Sequence, residues 1–182
     1  MKHTLTLLLL LLLVPYGHAQ EVTPINAPLD KSTIVLLARA MVSEGNWSET
    51  DHAAVAWVLV RRWRRLHPDW TFKRQILAYC VGMRGPIKTE RQRWVRNLSR
   101  NPKIKPVGWP RNTSWEKYSP RWAAVLAFAE AWAAGKVEDP CRGRSFHWGA
   151  PHEEIFARVR KAGWFPVNCG PTQNRFWSVE SV

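Results

Sequence analysis

The chain has 182 residues, 46% of them hydrophobic and 23% charged, with a formal charge of +13 and twelve tryptophans. That apolar share excludes a disordered polyelectrolyte, the length leaves room for one domain with a real core, and no recognised nucleic-acid motif organises the positive charge. A basic chain of this kind meets acidic partners, which outside the cytoplasm are anionic wall polymer, anionic lipid surfaces and free nucleic acid.

Residues 1–19 read as a secretory signal. Lys2 and His3 precede an unbroken apolar run from Leu7 to Val14, too short to span a bilayer, and Gly17-His18-Ala19 supplies small residues for cleavage near Ala19. The expectation is a periplasmic or secreted protein whose single domain occupies residues 20–182, with no lipid anchor because no cysteine follows the cleavage position.

After a proline-containing lead-in, Asp30 offers an N-cap, and Ile34, Leu37, Ala38, Met41 and Val42 recur at helical spacing. This first helix is expected to stop at Glu44-Gly45, with the glycine in a left-handed C-terminal position. "SETD" at 48–51 reads as a capping box with Asp in place of Glu or Gln, opening a second helix over about 51–65. A third is expected over about 71–81 and a fourth over 90–98. Four prolines exclude a long helix from 99–120, and Pro120 suits the first turn of an alanine-rich helix over about 120–134, capped by Gly135. Beyond it lie loop or short-strand segments and one amphipathic stretch, 153–161. The fold class is mainly α, a single helical domain with a small irregular or β element at the C-terminal end.

Three cysteines allow three disulfide pairings. Cys141 with Cys169 is favoured, because both lie in irregular Pro/Gly-rich sequence where a staple helps most. Cys80 falls in a helical pattern and reads as a buried free thiol.

Glu44 follows Leu37, Ala40 and Met41 on the face expected to be buried. Apolar neighbours penalise an ionised carboxylate, and the negative end of the helix dipole acts in the same sense. Both favour a protonated acid near neutral pH, the property a general acid for glycosidic cleavage needs. The structural alternative is a glutamate that merely ends a helix and turns to solvent.

"LARAMVSEGNWSETDHAAVAWVLVRRW", residues 37–63, resembles the N-terminal signature of the cell-wall hydrolase family that includes spore-cortex-lytic enzymes. "DPCRGRSFHWGAP" and "GPTQNRFW" are similar to that family's two C-terminal segments. The resemblance implies a lysozyme-like α+β fold and a lytic transglycosylase or muramidase, with Glu44 as the acid/base that cleaves peptidoglycan between N-acetylmuramic acid and N-acetylglucosamine. A transglycosylase manages with one carboxylate because the sugar's own 6-hydroxyl attacks, whereas a hydrolase usually needs two. Glu49 and Asp51 stand where the second helix is capped, which leaves Glu49 as the possible second carboxylate.

Trp47 is placed to stack on a sugar ring. Trp57, Trp122 and Trp132 fall on helices and read as core, while the loop residues Trp109, Trp115 and Trp148 are cleft candidates. Ser145, His147 and Trp148 are assigned to substrate, as are Gln173 and Asn174 in the terminal segment. From Arg61 to Arg111 fifteen Lys/Arg face only Asp69 and Glu90, giving either a solvated basic surface or one that attracts anionic wall polymer. Peptidoglycan is the expected partner of a monomer that uses no cofactor and no metal. The rivals are a thiol peptidase or amidase using Cys80 and His147, and a non-catalytic basic wall-binding protein. Zinc chemistry finds no compact ligand spacing among His52, His67, His147 and His152.

Overall fold

The computed structural model describes residues 28–45, 47–149 and 153–179; the leader 1–19 with its cleavage position, and His152, lie outside them. Among these residues the helices are α1 Lys31–Gly45, α2 Glu49–Leu66, α3 Phe72–Tyr79, α4 Glu90–Arg96, α5 Trp115–Ala133 and α6 Glu153–Lys161, with a 3-10 turn at Val81–Met83. Strands β1 His147–Gly149, β2 Phe165–Val167 and β3 Arg175–Ser178 complete a mainly helical molecule with a small C-terminal sheet.

The core forms around α1. Its Leu37, Ala38, Ala40, Met41 and Val42 have no exposed surface, and it packs against α2, α3, α4 and α5. Asp30 starts the helix as expected, accepting from the Ser32 and Thr33 N–H groups at 2.8 and 2.9 Å. Gly45 departs from expectation: it stays helical and does not take positive φ. Its use is space, since a Cβ there would lie 2.9 Å from the Cβ of Asp51. The start of α2 can therefore fold back onto the end of α1.

Ser48 caps α2 by accepting from the Asp51 N–H at 3.3 Å. The reciprocal half of the capping box is missing because the Asp51 carboxylate bonds to a distant segment. The third helix ends at Tyr79, two residues before its expected end, and gives way to the 3-10 turn. The fifth begins at Trp115 and carries Pro120 inside it, not in its first turn. Trp115 is 3% exposed, and burying an indole outweighs the single backbone bond that proline forfeits. Gly135 closes α5 at φ 74°, donating to the Trp132 carbonyl while Lys136 donates to Ala131, a Schellman arrangement.

The proline-rich connection 97–114 is riveted by indoles. Trp122 Nε1 donates to the Ser99 carbonyl at 2.6 Å, Trp115 Nε1 to Pro102 at 3.0 Å and Trp109 Nε1 to Thr113 at 2.7 Å. Trp109 and Trp115 stack edge to face at 4.8 Å and are buried. They belong to the core with Trp57, Trp122 and Trp132, which corrects the reading of these two loop residues as cleft walls. A long irregular segment leaves carbonyls without ladder partners, and buried indoles supply donors.

The sheet has order β1-β3-β2, both pairs antiparallel, with His147 opposite Trp177 and Val167 opposite Phe176. Pro166 lies on edge strand β2, where a missing donor is tolerated. A disulfide joins Cys141 to Cys169, and Cys80 is a buried free thiol.

Candidate active site

Glu44 lies at the last turn of α1, where the 3-10 turn and β1 converge on its carboxyl group. Gly82 N–H donates to Oε1 at 3.3 Å and Trp148 Nε1 donates to Oε2 at 3.4 Å. Both bonds are long, so they offset burial only in part. Burial raises the Glu44 pKa above the ordinary glutamate value of 4.5, against the opposing pull of the Gly82 N–H, the Trp148 indole, Ser43 and the charge of Arg91. The group retains its proton to higher pH than an exposed glutamate and is supplied with donors for its ionised form.

Gly82 makes this approach possible. A Cβ on it would fall 1.7 Å from Ser43 Oγ, closer than real Cβ atoms approach, and a tight 3.0 Å from Ser43 Cβ. Arg96 holds the turn in place, donating to the carbonyls of Gly82 at 2.8 Å and Gly85 at 2.7 Å, and to that of Arg84. Neither residue was found from sequence, although an isolated glycine interrupting a helical pattern was a readable signal of close backbone approach.

On the β1 side Trp148 packs 5.3 Å from the Tyr79 ring, and Tyr79 Oη lies 3.0 Å from His147 Nδ1. Burial pushes the Tyr79 hydroxyl up, so it stays protonated and can donate. Burial, then the charges of Arg62 and Arg158, push His147 down to about 4, so the imidazole is neutral at pH 7. The hydroxyl and Nδ1 share one hydrogen bond, whose direction follows the tautomer of the neutral imidazole. Arg62 lies 3.8 Å over the Tyr79 ring and donates to the Phe146 carbonyl at 3.1 Å, fixing Tyr79 from behind.

The terminal segment enters through Asp51. This carboxylate has no exposed surface and accepts from the Gln173 N–H at 2.7 Å, the Asn174 N–H at 2.9 Å and Asn174 Nδ2 at 2.9 Å. The same Nδ2 donates to the backbone carbonyl of Glu44 at 2.7 Å, satisfying one of the carbonyls that a helix end leaves open. Asn174 thus reaches Glu44 through its backbone, and Asp51, assigned to capping from sequence, is the hub of that contact.

The remaining assigned residues are distributed differently. Ser145 has no exposed surface, and both of its oxygens accept from Arg61, which also pairs with Asp139; it anchors the 139–145 turn and is closed to substrate as placed. Gln173 is exposed beside Asn174. Trp47 and Glu49 line a different space, a cavity of about 380 Å³ bounded by His52, Arg121 and Phe128 on the side of α5. Trp148 and Asn174 bond directly to Glu44, His147 is joined to them through Tyr79 and Trp148, and Trp47 and Glu49 line the cavity beside α5.

Cys80 has no exposed surface, and burial, with the neighbouring Glu44 carboxylate, pushes its thiol well up. A thiol nucleophile needs the opposite setting. Among the described residues no three His, Cys, Asp or Glu side chains converge as a metal site would require. No family model matches the chain, and neither a curated protein nor a solved structure is significantly similar to it.

Proposed function

We propose that the chain cleaves peptidoglycan glycan strands between N-acetylmuramic acid and N-acetylglucosamine, as a lytic transglycosylase with Glu44 as its acid and base. The observation that carries this reading is the setting of Glu44, a recessed carboxyl whose proton is favoured by burial while two N–H donors face its oxygens. The resemblance of residues 37–63 to cell-wall hydrolases supplies the substrate class.

In the first step Glu44 gives its proton to the glycosidic oxygen as the bond to the muramic C1 breaks, releasing the 4-hydroxyl of the departing sugar. The Gly82 and Trp148 donors then support the carboxylate that remains. In the second step that carboxylate takes the proton of the muramic 6-hydroxyl as its oxygen bonds to C1, forming the anhydro ring and restoring the acid. One group of intermediate basicity performs both steps. The exposed Glu49 lines the cavity beside α5 at the capped start of α2, and the one-carboxylate route asks no chemistry of it, whereas hydrolysis usually needs a second carboxylate flanking the scissile bond.

The test is mass spectrometry of soluble fragments released from purified peptidoglycan by wild type and by Glu44→Gln. Anhydro-muramic ends from wild type alone are expected. Reducing ends would replace the transglycosylase by a hydrolase, cut peptides on intact glycan would move the chemistry away from Glu44, and no fragments from wild type would leave a wall-binding protein.

A further inference from the structure

The connection 97–114 is long for an irregular loop in a compact domain, and such segments are uncommon unless they serve a function. It is also firmly built: three indoles hold its carbonyls, and Pro106, Trp109 and Trp115 bury its underside. On this rigid base two aliphatic side chains stand outward, Ile104 at 53% and Val107 at 72% exposure, the latter the most exposed large hydrophobic side chain among the described residues.

Local geometry causes that exposure. The Trp109 N–H donates to the Pro106 carbonyl at 3.2 Å, and Gly108 has φ 80°, so Val107 and Gly108 are the corner of a type II turn. Val107 occupies the apex. Gly108 tucks inward, where a Cβ would meet Arg93 Cγ and Cδ at 2.5 Å. Ile104 closes a second turn, its N–H donating to Asn101 at 3.1 Å.

Exposed Lys103 and Lys105 flank Ile104, with Arg100 and Arg111 on either side of the turns. No acidic residue occurs between Arg91 and Trp115. Glu116 follows, within electrostatic reach of Lys105, its carboxylate accepting from the Ser114 hydroxyl at 2.7 Å. The pattern is aliphatic tips set in a ring of cations on a stiff support.

We propose that this loop is a peripheral docking surface for an anionic lipid bilayer, with Ile104 and Val107 entering the headgroup boundary and the lysines lying among anionic headgroups. Charge complementarity alone fits wall polymer equally well; the aliphatic tips decide for a bilayer, which offers an apolar boundary that a hydrated polysaccharide lacks. No described helix is long and apolar enough to cross a membrane, so attachment through this loop is superficial and reversible. The proposal does not depend on the chemistry of Glu44.

The test is cosedimentation of the chain from Gln20 onward with vesicles of phosphatidylcholine containing roughly one quarter phosphatidylglycerol, and with phosphatidylcholine alone. Wild type is expected to bind the anionic vesicles and not the neutral ones. Ile104→Ser with Val107→Ser is expected to weaken binding at least ~10-fold, and Lys103→Gln with Lys105→Gln by about fivefold for each lysine. A charge-matched control far along the chain, Lys136→Gln with Lys161→Gln, is expected to stay within about twofold of wild type. The idea fails if wild type ignores anionic vesicles, or if the control weakens binding as much as the loop lysines. It fails equally if the serine pair binds like wild type. Loss of binding to insoluble peptidoglycan in the lysine pair alone, with vesicle binding unchanged in every variant, would assign the surface to wall polymer instead.

Discussion

At Glu44 burial holds the proton on while donors make its loss tolerable, and the distance at which those donors stand sets the balance. Gly82 controls that distance. Its backbone is not in the left-handed region, so the requirement for glycine is steric, and Gly82→Ala must displace either Ser43 or the 3-10 turn. Overpacking of this kind costs about 1–3 kcal/mol. The expected outcome is that loss in urea unfolding together with a fall in glycan cleavage, because the Gly82 N–H moves away from Oε1. Adding Ser43→Ala removes the atom 1.7 Å from the new methyl and leaves one at 3.0 Å, so it should restore part of both. Full activity and unchanged stability in Gly82→Ala would refute the packing argument. Glu44 was legible in the sequence because helical spacing put a charge on an apolar face. Gly82 interrupts a helical pattern, a signal of close approach, but which helix it touches is decided by tertiary packing.

Between elements, the end of α1 depends on a segment from the far end of the chain. The Cys141–Cys169 disulfide fixes the start of that segment, and Asp51 fixes its two following amides together with the Asn174 side chain. Asp51→Ala leaves the Gln173 and Asn174 N–H groups without their acceptor, while Asn174 Nδ2 keeps the Glu44 carbonyl, at a cost of about 1–3 kcal/mol. Hydrogen exchange should then accelerate at Gln173 and Asn174, and glycan cleavage should fall although Glu44 itself is intact. Exchange at wild-type rates would mean that the disulfide alone orders the segment. The helices were largely readable from apolar spacing and caps, as was the pairing of the two C-terminal cysteines. The partner of Asp51 was not, because a capping position and a tertiary contact place the same residue type at the same point in a helix. Pro120 misled for a related reason: proline statistics mark a first turn, and the buried Trp115 extends α5 past it.

Across the whole molecule much of the basic charge is structural. Arg39 donates to the Leu98 carbonyl at 2.8 Å, Arg91 to Val42 at 2.6 Å and Arg96 to the turn at Gly82, so these guanidiniums join helices and loops whatever partner the remaining charge attracts. The site therefore sits in a positive framework, and the two of its groups shifted between about pH 4 and about pH 8 pull stability in opposite directions. His147 is held down to about 4 from 6.5; between those values the unfolded chain binds more protons, so its contribution is complete above pH 6.5 and is lost as pH falls toward 4. Partial exposure reduces that loss to about 2 kcal/mol. Glu44 is raised from 4.5, so above that value the folded chain holds the extra proton and stability declines as pH rises through the folded pKa. Urea unfolding of wild type, His147→Gln and Glu44→Gln from about pH 4 to about pH 8 separates the two slopes. Glu44→Gln should match wild type near pH 4 and exceed it near pH 8, the sign of a carboxyl kept for chemistry at the expense of stability. His147→Gln should lose part of the wild-type decline on acidification. If Glu44→Gln is no more stable than wild type at the alkaline end, the carboxyl is not held in a proton-retaining site, and the acid step assigned to it goes too.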